Sequence, residues 1–168
     1  MADAVDLITE QWRTERPELA DALGTVEVFG RIQRMQRVYD LHFKKLTDAF
    51  GLNLGELDMI FTLRRSGPPY TLTAGAFAKA ALVSPGAVTN RIDRLEDKGL
   101  VERVRESSDR RSVQIRLTER GAALAVEALT AHLRDYEEIL APLTPQERDQ
   151  ISSGLRKVLT AQGDTALD

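Results

Sequence analysis

The sequence predicts a mainly α-helical chain with a small β component, an α+β fold in which long terminal helices flank a compact centre. Three observations carry this. Apolar residues recur every three to four positions at both ends of the chain. Cap and breaker residues cut the centre into short helices. Between Leu100 and Leu117 the apolar period changes to two, the mark of paired strands.

The elements follow in order. Val5, Ile8 and Trp12 lie at spacings of three and four, a short amphipathic helix that ends before Pro17. A single apolar stripe then runs through Val28, Ile32, Met35, Tyr39, His42, Phe43, Leu46 and Phe50 to Gly51, whose type suits a C-cap. Asn53 with Glu56 three residues later forms a capping box. The helix it opens places Leu57, Ile60 and Phe61 on one face and stops at the breaker "SGPPY". Thr73 caps "AGAFAKAA". Ser84 and Pro85, a cap followed by a first-turn proline, open a helix that Gly99 ends. "LVERVRE" and "SVQIRL" alternate apolar and charged residues around the polar tip "SSDRRSVQ", which reads as a β-hairpin. Thr118 caps a long helix to about Leu140. Thr144, Pro145 and Glu147 give the last helix a complete start signal, and Ile151, Leu155, Val158 and Leu159 form its apolar face. The stripes at both ends need a partner surface, and a second copy of the chain is the natural one.

Composition narrows the function. The chain has 168 residues, 26 Asp+Glu against 23 Lys+Arg, and a net charge of −3. It has no cysteine, which removes disulfides, thiolate nucleophiles and Cys-based zinc sites. Its two histidines, His42 and His132, are far apart in sequence. Neither a Gly-rich phosphate loop nor a G-x-S-x-G elbow is present. These features point away from an enzyme and from any cofactor. No apolar run reaches the ~20 residues of a membrane span. The acidic N-terminus "MADAVDLITEQWRTE" does not read as an export signal, so a cytoplasmic chain is expected.

The helix after Pro85 carries the chemistry. At ~100° per residue, Val88, Ile92 and Leu95 form its buried face. Its N-terminal half is small and polar (Ser84, Gly86, Ala87, Thr89 and Asn90), which permits close approach to a groove floor, and Ser84 at the helix start suits a phosphate. A solvated surface helix would show the same pattern, but the hairpin that follows favours DNA. Residues 91–120 hold nine Arg+Lys and seven Asp+Glu, a local +2, and arginines gather at 105, 110, 111 and 116. A helix-turn-helix followed by a basic hairpin is a winged helix, and an arginine at the wing tip can enter a narrow minor groove. The expected organisation is N-terminal helices over 1–51, a winged helix-turn-helix module over 52–118 and C-terminal dimerisation helices over 119–168.

The stretch "VSPGAVTNRIDRLEDKGLVERVRESSDRRSVQIRLTERG" resembles the MarR (multiple antibiotic resistance regulator) family of dimeric winged-helix transcription factors. The resemblance covers about Leu52 to Gly121 and rests on the R-L-E-x-K-G-L-V-x-R run ending at Arg103, the D-R-R wing and the L-T-x-x-G start of the next helix. It implies a homodimer on double-stranded DNA, with one recognition helix per half-site of a pseudo-palindrome. By the same resemblance, Thr89, Asn90 and Arg94 would contact bases, Ser84 a phosphate, and Arg110 and Arg111 the minor groove, with Asp109 orienting an arginine. Family members often repress their own promoter and a divergent neighbour.

Within that family the chain most resembles the urate-responsive branch, which carries an extra N-terminal helix with a tryptophan, an aspartate before the reading module and two arginines. Trp12, Asp58, Arg91 and Arg103 occupy those places. The resemblance implies that Arg91 and Arg103 offer cationic forks to an anion, that Trp12 closes the pocket by stacking, and that an anion near Asp58 shifts its helix and releases DNA. The effector is then urate or a related purine, with a tricarboxylate or a phenolic anion as the alternative. A non-sensing architectural DNA-binding dimer is the other reading. In that case Trp12 staples a helix, Asp58 and Arg91 form a structural ion pair and Arg103 packs by its stem.

Overall fold

The computed structural model describes residues 2–80, 85–105 and 113–166. The chain divides into two compact units, Met1–Lys45 and Leu46–Asp168. Among the described residues there are seven α-helices, one 3₁₀ helix and a three-stranded sheet.

In the first unit, α1 (Ala4–Glu15) opens on a capping box made by Asp3 and Asp6. A 3₁₀ helix, Pro17–Ala22, occupies the stretch after the expected break at Pro17. The next helix, α2 (Leu23–Ala49), starts five residues before Val28, where the apolar stripe begins. Helices α1 and α2 meet at a close approach: Val5 is fully buried, and a methyl at Gly30 would lie 3.0 Å from its Cγ1. Arg31 of α2 reaches Asp3 at 2.9 Å and Asp6 at 2.6 Å, tying α2 to the α1 cap. Within this chain Val28, Ile32 and Met35 remain exposed.

The second unit holds the core. Its first helix, α3 (Leu54–Arg65), has the expected Asn53–Glu56 capping box. Then come β1 (Thr71–Thr73), α4 (Ala74–Ala80) and α5 (Pro85–Asp97), with Thr73 Oγ1 accepting from the Ala76 N–H at 3.0 Å as a cap should. Strands β2 (Val101–Arg105) and β3 (Val113–Leu117) pair antiparallel with Arg103 opposite Ile115. Strand β1 adds to the other edge of β3, placing Leu72 opposite Ile115. Three residues are too few to show a period, so β1 is recognisable only through its pairing. Leu57, Ile60, Leu63, Val88, Leu95 and Leu100 are at most 2% exposed and form the centre of the core. Phe61 lies half-buried beside that face, its ring stacked 6.1 Å from His132.

Gly99 ends α5 with φ +65, and the N–H groups of Gly99 and Leu100 donate to Glu96 and Leu95, a Schellman closure. The turn it makes is clasped by α6 (Glu119–Leu140). Thr118 donates its hydroxyl to Gly99 O at 2.9 Å and its N–H to Leu100 O at 3.1 Å, while Arg120 donates to Lys98 O. Gly121 lies so close that any Cβ would overlap the Leu100 carbonyl. The last helix, α7 (Pro145–Ala161), starts with the expected Thr144–Glu147 box.

Candidate functional site

Helix α5 presents two faces. Val88, Ile92 and Leu95 are buried, as their spacing requires, and Thr89, Asn90 and Arg94 are exposed. The three side chains expected to read bases thus share the exposed side of the helix. Ser84, Asp109, Arg110 and Arg111 lie outside the described residues.

Neighbours grip α5 on both flanks. On the α3 side, Arg91 projects over Gly55: a methyl there would stand 2.5 Å from Arg91 Cζ and 2.8 Å from Nη2. Asp58, one turn further along α3, is half-buried. Burial pushes its carboxyl above the usual aspartate value, and the positive charges of Arg91 and Arg65 partly offset the rise. At the end of α5, Lys98 Nζ donates to Glu56 Oε2 at 2.8 Å and to Gly51 O at 2.9 Å. Glu56 is 1% exposed. Burial opposes its charge, but the hydrogen bond from Lys98, that from the Asn53 N–H and the charges of Lys98 and Arg94 prevail and hold its carboxyl below the usual range.

On the other flank, Arg103 of β2 donates through its guanidinium to Asp93 and Glu96 of α5, and its backbone N–H reaches Glu96 at 3.3 Å. Both carboxylates lie roughly 140–200° around α5 from Arg91. The expected effector residues are thus not one cluster of equals. Asp58 and Arg91 come together, and Arg65 joins them in charge. Arg103 spends its fork on two acids of the recognition helix, and this raises its own pKa. Trp12 belongs to the first unit, where it is 48% exposed on α1.

Two residues at this site escape a reading by residue type. Arg65 follows Asp58 by seven, two helical turns on one face, and that spacing was a usable signal. Gly55 gives no such signal, because a glycine has no side chain whose chemistry could be read.

Residues 50–112, from the start of the module to the hairpin, match the profile of the MarR family. The transcriptional regulator PecS of Dickeya dadantii is 33% identical over 151 residues, covering 90% of each chain. The chain belongs to the MarR family. Among solved structures, the reduced form of MarR from E. coli is 26% identical and has a TM-score of 0.66 over 77% of this chain and 95% of that one. A MarR family protein from Bacillus stearothermophilus, 21% identical with a TM-score of 0.71, shares the fold over 83% of this chain and 96% of its own. This MarR-family protein is accordingly a DNA-binding, winged helix-turn-helix transcriptional regulator, and its relatives are regulators rather than enzymes. Among the described residues, no helix is long and apolar enough to cross a membrane.

Proposed function

We propose that this regulator is a homodimeric repressor of a pseudo-palindromic operator and that a small anion, urate or a related purine, releases it. The observation that carries this reading is Arg91, which leaves the recognition helix to lie on α3 beside the half-buried Asp58. An anion drawn to Arg91 is repelled by Asp58. Occupancy therefore favours a displacement of α3 against α5, and ligand affinity is converted into a change of α5 geometry. Arg103 holds the opposite flank of α5, so it transmits that movement or joins the anion once its acids are displaced. Trp12 would stack on a planar effector. A tricarboxylate would use the same cation without that stacking.

The dimer is supported by apolar surface that a single chain leaves uncovered. Phe29 on α2, Leu133 on α6, and Ile151 and Val158 on α7 are each more than half exposed. A cavity of about 530 Å³ between the end of α6 and α7 is lined by Leu140, Leu143, Ile151, Leu155 and Leu159. For DNA contacts, Thr89, Asn90 and Arg94 would face bases, Ser84 a phosphate, and Arg110 and Arg111 the minor groove.

The test is an electrophoretic shift on the DNA upstream of the protein's own gene, titrated with urate, aconitate and salicylate. Release by urate at the lowest concentration supports the reading. Release by aconitate alone moves the effector to the tricarboxylates, and no release by any of the three supports a non-sensing dimer.

A further inference from the structure

Glycine is a costly choice inside a helix, because it loses more backbone freedom on folding than any other residue. Gly55 is the second residue of α3, where an alanine would ordinarily strengthen the helix. Elsewhere in the described helices, a methyl on Gly24, Gly75, Gly86 or Gly154 would meet nothing within 4 Å. Gly55 differs from these. A methyl there would overlap Nε, Cζ and Nη2 of Arg91, and these are the atoms nearest to it. The planar guanidinium thus lies across bare α3 backbone, one turn from Asp58.

We propose that Gly55 is the positioning residue for Arg91: the missing side chain opens a seat on α3 for the guanidinium, which sets the register of the recognition helix against α3 and holds the cation beside Asp58. This rests on the reading of Arg91 and Asp58 as the effector site, and it adds the residue that determines where the cation stands. A side chain at 55 pushes the guanidinium off α3. The atoms it displaces are the far end of a flexible side chain, so the fold survives the change while the Arg91–Asp58 geometry does not. Arg65, the other cation acting on Asp58, is not among the atoms nearest a methyl at 55.

The experiment is Gly55→Ala in the full-length chain, alone and combined with Arg91→Ala, with the Asp58 carboxyl titrated by carbon-detected NMR. Arg91 lowers the Asp58 pKa. Gly55→Ala is therefore expected to raise the Asp58 midpoint by roughly 0.5 pH, the effect of moving a cation a few ångström further away. In the Arg91→Ala background the same methyl moves it by nothing. Melting temperature is expected to stay level or rise. An unchanged Asp58 midpoint overturns the proposal. So does a shift, or a fall in melting temperature, that is equal with and without Arg91, because the methyl would then be meeting something else. Adding urate to the unsubstituted chain separates the two readings: an Asp58 signal that ignores urate removes the effector assignment and leaves the seat in place.

Discussion

Lys98 Nζ lies 2.8 Å from Glu56 Oε2, joining the last residue before the α5 turn to the first turn of α3. The same carboxylate accepts from the Asn53 N–H at 2.9 Å. One buried charge thus closes the α3 cap and anchors the end of the recognition helix. Losing Lys98 leaves that charge buried with its cap bond and the more distant charge of Arg94. Lys98→Met is expected to cost about 1–3 kcal/mol, toward the lower end because the lysine is partly exposed and screened. Chemical denaturation at pH 7 measures it.

The pair also sets an acid limit. The Glu56 carboxyl titrates below its ordinary value of 4.5 in the folded protein, so its contribution is complete above that pH and is lost as pH falls through the lower folded value. The unsubstituted protein should therefore lose stability more steeply below about pH 4.5 than Glu56→Gln does. Parallel curves would show that Glu56 does not titrate as described.

Asp58 has the opposite sign. Its folded pKa lies above the ordinary 3.8, so its favourable contribution exists below that pH and disappears as pH rises through the folded value. At pH 7 the half-buried carboxylate is a net cost. Asp58→Asn is expected to melt no lower than the unsubstituted protein at pH 7, and a clear drop in melting temperature would contradict this.

Gly121 admits no side chain. A methyl there would overlap the Leu100 carbonyl oxygen and stand 2.9 Å from its carbon, both rigid backbone atoms. Gly121→Ala should destabilise by about 1–3 kcal/mol, the usual cost of overpacking. The contrast with Gly55→Ala, where only a side-chain end moves, is visible in a thermal melt of the two variants side by side.

Arg103 bridges to acids that are more exposed than itself. Its removal should cost under about 1 kcal/mol of stability. Its effect belongs to DNA: Arg103→Met frees one flank of α5 and should weaken operator binding roughly three- to tenfold, ~0.7–1.4 kcal/mol. Fluorescence anisotropy at fixed salt reads this directly.

Much of this architecture is written locally. The boxes at Asn53–Glu56 and Thr144–Glu147 and the C-cap glycines at 51 and 99 are short-range signals, and each stands where its spacing requires. Strand β1 is not local, since Thr71–Thr73 becomes a strand only because β3 offers an edge. The buried face of α5 followed from periodicity. What periodicity could not supply was the partner of each arginine. Arg103 meets Asp93 and Glu96 because the chain reverses at Gly99, and Arg91 finds Gly55 across 36 residues of sequence.

The most direct measurement is operator release by urate, followed by anisotropy of a labelled duplex from the protein's own upstream DNA, in the unsubstituted protein and in Arg91→Ala. Urate should release the unsubstituted protein, and Arg91→Ala should bind the duplex within about tenfold of normal, ~1.4 kcal/mol, yet fail to let go. Equal release of both proteins would contradict a role for Arg91 as the link between anion and DNA, and release of neither would contradict urate as the effector.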